Sequence, residues 1–490
     1  MKKEKLRKIN KILIALFILI QPFTTIVRMV HGDIQLLGFS LFEMGNIFLI
    51  GISFLLTVFL YDDKKKFLKY IPYLFLLIIY IFAHYYNTTL FNHAIYKKQQ
   101  VSFMVETYYI LRTFLVPLIL IFNIYYSGIK KRECINILQC FLFIVSFTII
   151  FTNIFKIAFI NYSEVATHNV YSIFDWFNFN NAGTYSYYQL TTKGLFLSGN
   201  QMSAILFMTF PLIVYLTYKR RSIFDYMLLV MQSISMFMLG TKTANFGSML
   251  IYVTFILIWF FFYLLKKDLR SPKKIMIFTF IFYLLFPFSP VGYMMKKVNI
   301  SKPSGNMLTN VEDNFDNPEE YIQIKKVIDR IEKMNCDELN VEEKTVVKNL
   351  LKERSQIFNI SSYIVRSYND LDHSIFWCHY LKDHSSNDYR VLKKSLLKEI
   401  SDNNNNKLDR YLGMGYTTNF IYTEADYTYQ YYLYGIFGIL VLIGPYFIVL
   451  LYISFKVLKD MDKYFNMNTV IYLMMPSLAL LIAYYSGHVL

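Results

Sequence analysis

Apolar residues run in stretches of about twenty, broken by short polar and basic connections, over most of the first 293 positions and again over 421–490. A stretch of that length crosses roughly 30 Å of hydrocarbon as a helix, and a helix satisfies its backbone hydrogen bonds within the segment, as lipid requires. The pattern predicts spans near 12–29, 35–60, 68–84, 107–127, 134–159, 195–218, 224–240, 245–265, 275–293, 428–454 and 469–488, about eleven in all. Between 294 and 420 the pattern changes. Charge is dense there, and apolar residues return every three or four positions from Glu319 to Met334 and from Val341 to Phe358, which predicts amphipathic helices. Asn403-Asn404-Asn405-Asn406 reads as the break after which the chain returns to the membrane. The expected organisation is an all-α polytopic membrane protein. Residues 1–293 form a membrane domain of about nine helices, 294–420 one large extracytoplasmic helical loop domain, and 421–490 the C-terminal membrane helices.

Composition agrees with this class: 55% of the 490 residues are hydrophobic and 19% aromatic, more than a water-facing surface tolerates. The net charge of +16 is not a nucleic-acid footprint, because it lies in short clusters between spans rather than along one soluble surface. Lys64-Lys65-Lys66, Lys130-Lys131-Arg132, Lys219-Arg220-Arg221, the group around Lys266 and Lys274, and Lys456 to Lys463 recur at alternate connections. Positive loops stay in the cytoplasm, so these connections and the N-terminus are expected inside, and 85–106, 161–193 and 294–420 outside. The basic start before Ile12 has no small-x-small cleavage site after it, which predicts an uncleaved first span. The sequence stops as the last helix emerges outside, leaving room for a twelfth span in a complete protein. Of four cysteines only Cys336 and Cys378 are placed to pair outside, and two cysteines define no framework.

Candidate chemistry gathers at the expected outer face. All eight histidines fall there, but His373, His379 and His384 are not spaced to share one helix face, so no metal site is predicted. No phosphate-cradling glycine loop is present, which argues against an ATP-driven transporter. Glu43 and Arg112 lie within spans, roughly 8–12 Å from their outer ends; they read either as a structural ion pair or as a contact for a lipid-linked anion. Gly240-Thr241-Lys242-Thr243-Ala244-Asn245-Phe246 places a cation where a helix begins. An anion there would meet Lys242, free backbone N–H groups and the positive end of the helix dipole; the alternative is a lysine snorkelling to the interface. Leu412-Gly413-Met414-Gly415-Tyr416 leads to Glu424 and Asp426 at the mouth of a span, among tyrosines that read as an interfacial belt or as sugar-stacking platforms. A carboxylate shielded by such neighbours is suited to act as a general base.

These segments resemble the O-antigen ligases and the related O-antigen and capsule polymerases. That group shows an outward Arg-x3-Leu motif and, after a large external loop, His-x10-Gly at the start of a later span. The matching positions here are Lys242-x3-Phe246 and Glu424-x10-Gly435. Gly194-Leu195-Phe196-Leu197-Ser198-Gly199-Asn200 is similar to the group's Gly-Phe-Phe-x-x-x-Asn span start, and Arg390 precedes the Leu-Gly-x-Gly-Tyr segment. Lysine for arginine and glutamate for histidine look more like a polymerase than a ligase. The 294–420 region matches nothing that can be carried over.

The resemblance implies a glycosyltransferase at the outer face of the cytoplasmic membrane, polymerising polyprenyl-diphosphate-linked repeat units for a capsule, O-antigen or exopolysaccharide by inverting transfer. It implies Glu424 as base with Asp426 its nearest competitor, and Lys242 and Arg390 as diphosphate contacts with Arg410, Lys193 and Arg112 in reserve. Asn200, Tyr416 and Tyr427 are the implied substrate contacts. No cofactor is required, since the lipid diphosphate is itself the activated leaving group. The implied partners are glycan donor and acceptor, the bilayer, and a flippase and chain-length regulator of the same pathway. Two alternatives stay open. One is a ligase passing finished glycan to another acceptor; the other is a flippase, which would be expected to carry ionisable residues near the midplane and paired interrupted helices.

Overall fold

The computed structural model describes residues 2–32, 34–36, 39–91, 102–161, 167–168, 171–177, 187–265, 269–298, 308, 318–358, 360, 364–365, 368, 373–383, 389–415 and 426–485. Among them nine helices are long and apolar enough to cross a membrane: Lys3–His31, Leu41–Leu60, Lys64–Thr89, Phe103–Tyr126, Lys131–Ile154, Gly199–Arg220, Lys242–Leu264, Asp426–Lys459 and Met467–Tyr484. The protein is thus helical and polytopic. Two of the expected spans are not among these nine. Ile223–Met238 has 16 residues, about 24 Å at 1.5 Å each. The 275–293 stretch is interrupted: Lys273–Leu285 gives way to a 3₁₀ turn at Phe286–Phe288 and a separate helix Pro290–Val298. Pro287 and Pro290 supply no N–H to a continuous ladder, which accounts for the break. The helical pattern is otherwise broken, among the described residues, by a two-residue antiparallel ribbon of Gln35–Leu36 with Phe39–Ser40 and a single bridge between Phe159 and His168.

The chain divides into two compact units. The first comprises Met1–Tyr73, Tyr108–Val298 and Leu442–Leu490. Its axis is Gly199–Arg220, whose most apolar stretch is 83% buried where the other spans are 17–39% buried. Lys131–Ile154, Ile223–Met238, Lys242–Leu264 and Met467–Tyr485 pack around it, with Leu142, Val145, Phe210, Ile213, Leu229 and Phe255 in the core. Lipid tails are as apolar as leucine, so side-chain packing and interhelical hydrogen bonds must hold such a bundle. Gln232 Nε2 donates to the Leu206 carbonyl at 2.8 Å, Ser235 Oγ to the Ser146 carbonyl at 3.1 Å, and the Ser233 and Tyr252 hydroxyls meet at 2.8 Å. Leu257, Phe260, Phe261 and Leu264 on one outer helix are exposed, as a lipid-facing surface would be.

The second unit comprises Leu74–Thr107 and Asn299–Val441. The two amphipathic stretches are helices, Pro318–Lys333 and Val341–Arg354, followed by a 3₁₀ turn Ser355–Phe358 and the helices Ser374–Asp383 and Tyr389–Asn403. Asn340 starts the second helix with a reciprocal cap: its Oδ1 accepts from the Glu343 N–H and Glu343 Oε2 accepts from the Asn340 N–H, both at 2.9 Å. Ile331, Val347, Leu351, Trp377, Leu381, Leu392 and Leu396 are all buried. Cys336 and Cys378 form a disulfide across 42 residues, a pairing that spacing alone left open.

Candidate functional site

Lys242 is the first residue of Lys242–Leu264, preceded by Thr241 as N-cap, whose hydroxyl accepts from the Ala244 N–H at 3.1 Å. The same hydroxyl donates to Ser203 Oγ at 2.7 Å, tying this helix start to the axis helix. Gly240 makes the turn at φ 65°, and a β-carbon there would fall 2.3 Å from Thr191 Cγ2, so glycine is required on both conformational and steric grounds. The adjoining segment is stitched to this turn: Thr192 N–H donates to the Met238 carbonyl at 2.8 Å and Asn161 Nδ2 to the Leu239 carbonyl at 2.6 Å. Lys193 on that segment is only 4% exposed, and burial pushes its ammonium below the usual lysine range. Lys242 is exposed and makes no ion pair among the described residues. Asn200 is half-buried in the first turn of Gly199–Arg220, after Ser198 as N-cap.

A largely apolar groove of about 450 Å³ opens beside Lys242, walled by Phe207, Phe246, Gly247, Leu250 and Tyr283. A cation thus stands at the head of an apolar trough. Such an arrangement suits an amphiphile with an anionic head, because ammonium, helix-start N–H groups and dipole all favour negative charge there.

In the second unit, Asp426 opens a span and is fully buried, with Tyr427 half-buried beside it. Nine residues on, Gly435 interrupts the helix at φ 65°, ψ −175°, a region open essentially only to glycine. The interruption is matched by the Gly413-Met414-Gly415 strand-like segment. Met414 and Gly415 N–H groups donate at 2.9 Å to the Tyr432 and Leu433 carbonyls, which a continuous helix would bond to residues 436 and 437. A β-carbon on Gly435 would lie 2.4 Å from the Tyr411 carbonyl carbon. Arg410 is exposed on the short turn Asp409–Leu412, and Arg390 lies on Tyr389–Asn403. Glu424 and Tyr416 lie outside the described residues.

Four further polar residues of this unit come together here. His84 and Glu106 are buried and paired, Nε2 to Oε2 at 3.3 Å, while His84 Nδ1 lies 2.6 Å from the Leu412 carbonyl. Asn87 Nδ2 donates to both Asp409 Oδ1 at 2.9 Å and the Gly413 carbonyl at 2.8 Å. His84, Glu106, Asn87 and Asp409 thus form a polar bed that engages the Leu412 and Gly413 carbonyls. The sequence signal was weak, since 22 residues separate His84 from Glu106.

Arg112 occupies a π-helical turn, Leu111–Leu115, in the first unit. Its guanidinium pairs with Glu43 at 2.9 Å, and Arg28 meets the same carboxylate at 2.6 Å. Two arginines therefore share one acid, with the Tyr108 hydroxyl donating to it at 3.2 Å. Among the described residues no three His, Cys, Asp or Glu side chains converge in a metal-holding group.

Comparison with known proteins gives a family match over residues 7–490, to the model described as O-antigen ligase like membrane protein. No curated protein and no solved structure matches the chain.

Proposed function

We propose that this chain, which belongs to the family of O-antigen ligase like membrane proteins, polymerises polyprenyl-diphosphate-linked oligosaccharide repeat units at the outer face of the cytoplasmic membrane. Membership makes it a multi-pass membrane protein of glycan processing and a glycosyl-transferring enzyme. The match over residues 7–490 is the observation that carries glycosyl transfer. The polymerase half rests on Lys242 and Glu424 standing where the ligases' motifs have arginine and histidine.

In the proposed reaction an acceptor hydroxyl attacks the anomeric carbon of the donor sugar. The new C–O bond forms on the face opposite the breaking bond to diphosphate, a base takes the hydroxyl proton, and polyprenyl diphosphate leaves. Glu424 is proposed as that base, with Asp426 as competitor; a positioned base contributes about 10²–10⁴-fold. Lys242 is proposed to stabilise the departing diphosphate, which the exposed ammonium at a capped helix start supports, and the apolar groove beside it suits a polyprenyl chain. Arg390, Arg410 and Lys193 are proposed as further anion contacts, and Asn200, Tyr416 and Tyr427 as sugar contacts, each tested on its own. Arg112 is a weaker candidate, because Glu43 already engages its guanidinium.

Reconstitution tests the reading. The purified chain in liposomes with lipid-diphosphate-linked repeat units should give a ladder of longer lipid-linked glycans. Failure to extend repeat units, with transfer of preformed polymer to a different acceptor, would make the protein a ligase instead.

A further inference from the structure

A second cavity lies away from Lys242, at the other end of the axis helix. It encloses about 950 Å³ within the first unit, where Lys131–Ile154 begins, Gly199–Arg220 ends and Ile223–Met238 begins. Four cations border it: Lys131, Arg132, Lys219 and Arg220. None of the four makes an ion pair among the described residues. The one carboxylate in the lining, Asp225, is 1% exposed and already engaged, its Oδ1 by Gln139 Nε2 at 2.7 Å and its Oδ2 by the Ser222 hydroxyl at 2.6 Å. Arg220 Nη1 donates to Gln139 Oε1 at 3.1 Å, which fixes one guanidinium over the floor. Lys131 Nζ sits 4.0 Å above the Tyr472 ring, and Lys219 Nζ 5.6 Å from the Tyr215 ring. These aromatic faces hold the ammonium groups in place without neutralising them. Ile135, Phe143, Leu216 and Phe224 supply the apolar remainder of the wall.

Four exposed cations gathered around one cavity give it a positive potential that favours an anion. The apolar wall selects among anions. A phosphate attached to an acyl chain satisfies both parts, whereas a free inorganic anion leaves the wall wet. Basic pockets between membrane helices are a recognised way of holding anionic lipid headgroups. We propose that this cavity is a binding site for an anionic membrane phospholipid, its phosphate held by Lys131, Lys219 and Arg220 and an acyl chain laid along Phe143 and Phe224. The site is independent of the proposed diphosphate seat at Lys242 and of the polymerase reading.

Native mass spectrometry of the full chain in detergent tests this, with phosphatidylglycerol, phosphatidylcholine or inorganic phosphate added in turn. The wild type should retain phosphatidylglycerol and not phosphatidylcholine. The double variant Lys131→Gln/Lys219→Gln should bind phosphatidylglycerol about thirtyfold more weakly, while Lys456→Gln/Lys459→Gln, which removes exposed cations outside the cavity, should bind normally. A photoactivatable phosphatidylglycerol on the wild-type chain should crosslink within residues 131–143, 215–225 or 468–472, a readout that does not depend on the variant folding. Equal retention of phosphatidylcholine, equal weakening by both double variants, or crosslinks elsewhere would overturn the proposal. Displacement of the lipid by inorganic phosphate alone would assign the cavity to a free anion and overturn the lipid assignment.

Discussion

At the scale of single residues, charges stand where the backbone has something to offer them. Lys242 is such a case: Thr241 caps the helix, so the ammonium and the first turn present one positive face. Lys242→Arg should retain donor-dependent activity and Lys242→Ala should lose roughly 10²-fold or more; normal turnover by a well-expressed alanine variant rejects the role. Lys193 makes a pH prediction. An ordinary lysine loses its proton near pH 10.4, but burial moves that loss to lower pH at Lys193, so any anion affinity it supplies should fade earlier as pH rises. Lys193→Arg stays charged and should move the decline upward; superimposable pH profiles of donor binding would show that Lys193 does not touch the donor. For Glu424, the glutamine variant should lose about 10²–10⁴-fold at unchanged protein level. If Glu424→Gln works while Asp426→Asn fails, the base is the neighbouring acid.

Elements show what sequence patterning conveys and where it stops. The Gly240–Phe246 connection was legible as placing Lys242 where a helix begins, and the helix Lys242–Leu264 starts three residues before the expected span 245–265 because Thr241 caps it there. The x10 spacing to Gly435 was also visible, but its reason was not: Gly435 is required by the Tyr411 backbone and the donors on Met414 and Gly415, contacts made across about twenty residues of sequence. Gly435→Ala meets both a glycine-only conformation and that backbone, and should disorder the start of this span. Unchanged thermal stability would contradict the geometry. Hydropathy placed a span at 224–240, and the helix there, Ile223–Met238, has 16 residues, about 24 Å at 1.5 Å each. The Cys336–Cys378 bridge was undecidable from two cysteines. It closes a loop long enough that removing it should cost about 3–4 kcal/mol, and alkylation of both thiols in unreduced protein would count against it.

For the whole molecule, the disulfide bears on topology, because such bonds persist in oxidising compartments and this one lies in the 294–420 segment, which the basic connections lead one to expect outside. A cysteine at position 352, exposed on Val341–Arg354, should react with an impermeant maleimide in intact cells; labelling only after lysis reverses the orientation. The family was legible in the order of weak motifs along the chain, and the match over residues 7–490 bears that out. The buried His84–Glu106 pair was not legible, since nothing in either segment marks the other. The most direct measurement is the set of lipid-linked glycans that accumulates in cells lacking this chain. The account predicts single repeat units at the outer face of the membrane, restored to long chains by the wild-type gene. Accumulation of long lipid-linked chains, or of repeat units trapped on the cytoplasmic face, would contradict it.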